Sequence, residues 1–394
     1  MVDMMASNRI LFARSADASN LNAQAKNLQN MLRRWRSTKY RPVMFSFSDP
    51  DEGIAANPNV DILPVSPDRF WTARIFAAYM RQFDAVFCPG LHHFSDWAAL
   101  KVRSAVGRSL PVIMTMEGLL SVKGDDSYNR RFSEVAGHLA FGQETSEQRW
   151  RRRNSLYQRS RRIIAISPFL GKMAKAQYGD KVSVLPLGVD MSLFRRTHWQ
   201  GQRRARIVCA AHVKPHKQPR IFLTLARRFP QADFVWYGEG ELRGALVKEA
   251  AQTGVANLSF PGLQQPEALA REFAASDIMI LPSRNEGVPK VTQEAAASGL
   301  AQVVFGFYET PSVVDSVNGF VVWSEDEIAA KLMSLLADRD LCERMGRAGA
   351  KMAQAWSWDR IAPQWEQKII EVVEGRNQIP KRSNQDEKNY LMVS

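Results

Sequence analysis

The chain has 394 residues, 45% of them hydrophobic and 24% charged, enough for two cored domains of ordinary size and far from a disordered composition. Its net charge of +13 is concentrated in residues 1–200, where 29 basic residues face 17 acidic ones, against 24 and 23 in residues 201–394. No apolar stretch approaches the roughly 20 residues of a membrane span, the opening MVDMMASNRI has no secretory pattern, and three isolated cysteines fit neither a disulfide framework nor a metal site; a reducing cytoplasm is therefore expected.

Short β-branched and apolar runs alternate with longer helical patterns, the grammar of parallel sheets with helical crossovers. In chain order the first half offers strands at ILFARS near Ile10, PVMFSFS near Val43, AVFCPG near Val86, PVIMTM near Val112, IIAIS near Ile163 and VSVLPL near Val184. A helix is predicted over Leu21 to Trp35, where Leu21, Leu28, Met31, Leu32 and Trp35 share one face. The second half restarts with RIVCAA near Ile207, FVWYGEG near Val235, DIMILPS near Ile278, AQVVFG near Val303 and GFVVW near Val321. The expected fold class is α/β, with two facing Rossmann-like domains and a deep interdomain cleft. The expected boundaries are an acceptor-binding domain at 1–190, a hinge at 191–204 and a nucleotide-binding domain at 205–357. A helix at 358–375 is expected to return to the first domain, and 376–394 reads as a flexible tail.

In open α/β sheets, ligands bind beyond the carboxyl ends of strands, where loops run into helix N-termini. The segment from Asp277 to Val304 reads as strand, polar loop and helix, with the helix starting near Pro289. Backbone N–H groups of Gly287, Val288 and Lys290, with the helix dipole, favour a phosphate there. Glu286 and Glu294, eight positions apart, would repel that phosphate, so they make sense as acceptors from sugar or ribose hydroxyls. Spacing alone also fits two solvated helix glutamates.

The order Ser283, Glu286, Gly287, Glu294, Ala295 and Gly299 resembles the donor signature of glycosyltransferase family 4, whose members have the GT-B fold. The resemblance continues in VSVLPLGVDMSLF, with Pro186, Gly188, Asp190 and Phe194, in IIAISPFLGKMA, in VNGFVVW, in Met345 and Gly346, and in WSWDR near Trp358. It implies a retaining, metal-independent transferase with no cofactor, using a UDP- or GDP-linked sugar as co-substrate. Lys217 is placed on the diphosphate, Glu294 on the ribose and Glu286 on the transferred sugar. Gly238 and Ser283 line the nucleotide pocket.

Several positions depart from the family pattern. His212 stands where the family has an arginine, so Lys214 or Arg220 is a candidate for the missing charge. The glycine-rich loop after the first strand is replaced by SADASNLNAQ, in which Asn20 and Asn22 are acceptor-site candidates and helix capping by Ser19 or Asn20 is an equal explanation. Glu117 occupies the place of a histidine facing the transferred sugar and is a candidate to accept from sugar hydroxyls or to orient the attacking hydroxyl, with capping of the next turn as the competing reading. His92 and His93 rank equally as acceptor candidates, and the string Asp49-Pro50-Asp51 reads as a turn, with no metal assigned. The basic run Arg149–Arg162 is either a solvated helix face or a docking site for an anionic membrane, at the inner face of which the protein would be peripheral. The expected acceptor is a cell-envelope glycan or lipid-linked glycan. No nucleic-acid motif is present. The alternatives are an inactive glycan-binding or scaffold subunit and a sugar-nucleotide epimerase of the same fold.

Overall fold

The structure, a computed structural model, describes residues 8–15, 23–46, 48–64, 83–89, 110–117, 154–197 and 204–375. It divides into two compact units: one runs to Leu187 and resumes at Trp358, and the other begins at Gly188 and includes Ser357.

Unit 1 holds a parallel sheet of seven described strands: β1 (Asn8–Ser15), β2 (Tyr40–Ser46), β3 (Asp61–Pro64), β4 (Ala85–Cys88), β5 (Val112–Met116), β6 (Arg162–Ala165) and β7 (Val182–Val184). Their order is β3-β2-β1-β4-β5-β6-β7. β1 pairs with β2 and β4, so it is covered on both edges, and Ile10, Leu11 and Phe12 are fully buried. The predicted first helix is α1 (Ala23–Arg33), followed by a one-turn α2 (Glu52–Ala55) and by α3 (Pro168–Tyr178). Trp35 packs edge-on against Phe12 at 5.8 Å and donates from its indole to the carbonyl of Tyr40 at 2.8 Å. β3, an edge strand, has no counterpart in the sequence-based set; Asp61 and Pro64 weaken its signal, and proline is tolerated at an edge because one side of the backbone is unpaired.

The last helix of the unit, α4 (Trp358–Val373 in the chain), returns to this sheet. Trp365 meets Phe87 edge-on at 6.3 Å and donates to the carbonyl of Pro186 at 2.8 Å. Buried Glu366 accepts from the backbone N–H groups of Arg36 at 3.0 Å and Ser37 at 2.6 Å, satisfying two donors just past α1. The turn at Asp49 to Asp51 has a structural use: Asp51 caps α2 by accepting from Ile54 and pairs with Arg33. Burial raises the Asp51 carboxyl, but Arg33 and the Ile54 N–H outweigh it and hold the group below its ordinary range.

Unit 2 holds six described strands, also all parallel: β8 (Arg206–Ala210), β9 (Asp233–Tyr237), β10 (Leu258–Gly262), β11 (Ile278–Leu281), β12 (Ala301–Phe305) and β13 (Gly319–Val322), in the order β10-β9-β8-β11-β12-β13. Its helices are α5 (Arg220–Arg228), α6 (Arg243–Gln252), α7 (Pro266–Ala274), α8 (Lys290–Ala297), α9 (Glu325–Ala337) and α10 (Arg339–Ala353). Phe222 on α5 stands edge-on to Phe234 and Trp236 on β9 at 5.8 and 5.0 Å, the centre of a continuous core. β10 is again an edge strand missed by pattern reading, here because Pro261 and Gly262 interrupt it. Residues 191–197, expected in a hinge, belong to this unit. Phe194 is buried against Phe273, and the Arg196 guanidinium donates to the carbonyl of Ser298 at 3.1 Å.

Of the basic run, residues 154–162 are described. Leu156 and Tyr157 are buried there, Arg159 and Arg161 are exposed, and Arg162 donates to the carbonyl of Asp180 at 3.2 Å. Among the described residues no helix is long and apolar enough to cross a membrane.

Candidate functional site

In each sheet the chain reverses its direction of growth between the first strand and the fourth, and in unit 2 that switch lies between β8 and β11. Their carboxyl ends release two neighbouring loops without a crossover between them, so a crevice opens at that edge. The loop after β8 carries His212, Lys214 and Lys217; the loop after β11 carries Ser283, Glu286, Gly287 and Val288. The Arg284 N–H donates to the His216 carbonyl at 3.0 Å and ties the two loops together.

The structure brings two of the predicted residues into direct contact. The Lys217 ammonium donates to a Glu286 carboxylate oxygen, and the two side chains are only 13% and 12% exposed. A charge pair so far withdrawn from water needs its partner, because removal of either leaves an uncompensated charge. Lys217 closes a 3-10 turn (Pro215–Lys217), and the following Gln218 has a left-handed backbone at φ 50°. Cys209 lies near this pair; burial raises its thiol pKa well above the ordinary value.

α8 begins at Lys290, with Pro289 as the residue before the helix, one position later than the sequence pattern placed it. Pro289 has no side-chain group with which to cap the turn, so the first N–H groups of α8 face the loop without a side-chain cap. The Thr292 hydroxyl fixes the turn by donating to the Pro289 carbonyl at 2.6 Å and lies 2.6 Å from the Ser312 hydroxyl. Asn318 in turn donates to the Ser312 carbonyl at 2.8 Å and accepts from the Val314 N–H at 2.7 Å. This chain of polar groups locks the helix start onto the segment between β12 and β13.

Glu294 sits one turn beyond Lys290, whose ammonium is 4.0 Å from its carboxylate. Burial pushes the Glu294 carboxyl up to about 7, and Lys290 opposes the rise. The two glutamates therefore have separate lysine partners. Ser283 is completely buried, and its hydroxyl has no hydrogen-bond partner among the described residues. A buried orphan hydroxyl beside an anion-attracting helix start is suited to a polar ligand.

Gly238 follows β9 and has φ 144°; a Cβ there would lie 2.1 Å from the Ala211 carbonyl oxygen. At Gly240 it would meet the Val213 oxygen at 2.4 Å. These glycines let the loop after β9 lie directly on the loop carrying His212, with the Val213 N–H donating to the Glu239 carbonyl at 3.0 Å. Burial and then Lys214 hold the His212 pKa below its ordinary value; burial and then Lys217 do the same to His216. Both shifts favour the neutral imidazole.

Glu117 lies in unit 1, at the carboxyl end of β5, and accepts from the Thr115 hydroxyl at 3.1 Å. Asn20, Asn22, His92 and His93 lie outside the described residues. Sequence reading overlooked Tyr308, whose hydroxyl donates to the Leu281 carbonyl at 3.3 Å. Burial raises its pKa, and Glu286 adds to the rise. Its signal was positional: Tyr308 follows the carboxyl end of β12, one strand from the switch. Among the described residues no group of three or more His, Cys, Asp or Glu side chains is arranged to hold a metal.

The family described as Glycosyltransferase Family 4 matches residues 24–193, and that described as Glycosyl transferases group 1 matches residues 194–352. The chain is 30% identical over 202 residues to a D-inositol 3-phosphate glycosyltransferase of Segniliparus rotundus, covering 46% of this chain and 45% of that one. It is also 30% identical over 233 residues to a GDP-mannose-dependent alpha-(1-6)-phosphatidylinositol monomannoside mannosyltransferase of Mycobacterium tuberculosis, covering 53% and 58%. The chain spans about half the length of these curated relatives. Among solved structures, sucrose-phosphate synthase from Thermosynechococcus elongatus superposes with a TM-score of 0.72 at 15% identity, over 94% of this chain and 100% of that one. Anabaena Alr3699/HepE in complex with UDP and glucose gives 0.66 at 16%, over 92% and 99%. At those identities the likeness establishes a shared fold.

Proposed function

The chain belongs to glycosyltransferase family 4, and from that premise we propose that it transfers a sugar, with retention of configuration, from a nucleoside diphosphate sugar to a glycan or lipid-linked acceptor of the cell envelope. The observation that carries this reading is the Lys217 and Glu286 pair, held at the switch point of unit 2 beside the start of α8. The diphosphate draws the Lys217 ammonium and the first N–H groups of α8 to itself. Glu286, released from Lys217, accepts from hydroxyls of the transferred sugar. Glu294 accepts from the ribose, and the Ser283 hydroxyl finds its missing partner on the nucleotide.

Lys214 supplies the standing charge that neutral His212 does not. With Lys217 and the helix dipole it balances the diphosphate without a required metal ion or cofactor. The bond from the anomeric carbon to the diphosphate oxygen breaks as the acceptor oxygen bonds to the same face. The leaving diphosphate oxygen takes the acceptor proton. A UDP- or GDP-linked donor is supported by the relative named as GDP-mannose-dependent and by the fold neighbour solved with UDP and glucose. The same relative, a phosphatidylinositol monomannoside mannosyltransferase, supports a lipid-linked acceptor.

In a panel of UDP- and GDP-sugars, incubated with and without lipid-linked acceptors from a bacterial envelope, the wild type transfers sugar to acceptor. Glu286→Gln lowers kcat about a hundredfold in protein that thermal unfolding shows is still folded, with a lowered midpoint because Lys217 loses its buried partner. Equal turnover by the variant removes Glu286 from the chemistry, product without acceptor that is an epimer of the donor indicates an epimerase, and absence of any turnover in the wild type favours a scaffold.

Donor affinity also depends on pH. The Glu294 carboxyl, raised in the protein to about 7, must lose its proton to act as a charged acceptor, so affinity rises with pH through that value. A sugar nucleotide carries no phosphate group titrating in this range, and any protonation of His212 or His216, both held below the ordinary imidazole range, strengthens diphosphate binding at low pH and so opposes the expected trend. Binding is expected to be about tenfold weaker at pH 6 than at pH 8, and Glu294→Gln to flatten the profile. An equally steep profile in that variant would assign the dependence elsewhere.

The reading places the protein in the cytoplasm, docked on the inner membrane face through Arg149–Arg162. Co-sedimentation with phosphatidylglycerol vesicles should fall at least severalfold when Arg151, Arg152 and Arg153 are made neutral. Unchanged sedimentation at low salt contradicts the docking surface.

A further inference from the structure

Two large aromatic side chains stand in solvent next to the donor site and have no part in the scheme above. Phe307, 43% exposed, follows β12; Trp323, 58% exposed, follows β13. Both occupy the carboxyl edge of the sheet, the same edge that carries Glu286 after β11. Single exposed aromatics are ordinary on protein surfaces, but these two meet edge to face, with centroids 5.6 Å apart at 80°. The Arg284 guanidinium lies over the Phe307 ring at 5.7 Å.

The arrangement is held rigidly. Gly306 lets the indole approach the backbone, since a Cβ there would lie 2.6 Å from Trp323 Cζ2. The Gly306 N–H donates to the Val322 carbonyl at 2.9 Å, and the Trp323 N–H donates to the Glu327 carboxylate at 2.9 Å. Beneath, Phe307 packs on buried Phe305 at 5.1 Å. The connection to the site is short: Arg284 is two residues before Glu286, and half-buried Tyr308, next to Phe307, donates to the carbonyl of Leu281 at the end of β11.

We propose that Phe307, Trp323 and Arg284 form a platform that binds a pyranose ring beside the donor site, the aromatic rings meeting a C–H face and the guanidinium its hydroxyls. The inference rests on the donor-site reading and adds a subsite to it. An aromatic face is electron-rich and attracts the polarised C–H bonds of a sugar, whereas the edge of the ring does not. Arginine adds a planar fan of donors at the rim. An aliphatic ligand would gain from the rings alone and leave Arg284 unused. The ring belongs either to the donor sugar or to the acceptor.

The test compares Phe307→Ala and Trp323→Ala with Phe307→Tyr and Trp323→Phe, which keep a ring, after thermal unfolding has shown each variant to be folded. Calorimetry with UDP-glucose and GDP-mannose, set against UDP and GDP, isolates the donor sugar. Saturation-transfer NMR with methyl α-D-mannopyranoside and methyl α-D-glucopyranoside reads an acceptor ring. The alanine variants are expected to lose about fivefold in affinity for sugar nucleotide with UDP and GDP affinity unchanged, or to lose the transfer to methyl glycosides; the ring-keeping variants restore either. The arm that changes identifies the source of the ring. Alanine variants that match the wild type in both arms overturn the platform alone, as does a parallel loss of UDP and GDP affinity. Loss of binding to phosphatidylglycerol vesicles with both sugar arms unchanged overturns it in favour of a membrane anchor. Wild-type protein that binds no sugar nucleotide overturns the donor-site reading and the platform with it.

Discussion

Strands β8 and β11 lie side by side although β9, β10 and three helices separate them in the chain. That adjacency is the constraint on which the site depends. It brings Lys217 and Glu286, which are 69 positions apart, into contact. It also lets the backbone bond from Arg284 to His216 join the two loops into one wall. The adjacency is secured by the core beneath, where Ile207 and Val208 of β8 and Ile278 to Leu281 of β11 are buried on both faces. A purely parallel sheet covered by helices leaves polar backbone and charged side chains a place to gather only at its ends.

The gathering has a cost that the rest of unit 2 offsets. Two lysine–glutamate pairs are largely withdrawn from water, one hydroxyl is buried without a partner among the described residues, and two loops touch where only glycine fits. Each feature is unfavourable in isolation. They persist because the start of α8 is pinned through Thr292, Ser312 and Asn318 and because the strands below do not yield. A site assembled in this way is rigid before its ligand arrives, so binding energy is not spent on ordering it.

Much of this was legible in the sequence. β-branched runs located eleven of the strands, and the resemblance to a family signature, where spacing alone was ambiguous, singled out Glu286, Glu294 and Lys217. What escaped has physical reasons. β3 and β10 are edge strands in which Pro64 and Pro261 are tolerated, so their pattern is weak. The pairing of Glu286 with Lys217 depends on three-dimensional contact across 69 positions, which spacing along the chain does not encode, whereas Lys290 and Glu294 are an i,i+4 pair on one helix. Gly238 could be read as a turn, but the reason for it, the carbonyl of Ala211, lies on another strand's loop. The segment 191–197 looked like a hinge by composition, yet Phe194 and Arg196 bind it into the core of unit 2. Phe307 and Trp323 gave no pattern at all, since their meaning comes from two neighbouring strand ends.

We propose that Lys217 exchanges Glu286 for the diphosphate when a sugar nucleotide binds. Calorimetric titration of UDP-glucose and GDP-mannose into wild type and Lys217→Met tests it most directly. The wild type is expected to bind at least one of them and the variant, still folded, to bind it about thirtyfold or more weakly, the effect of losing a charge-assisted hydrogen bond. Equal affinity in the two proteins would contradict it.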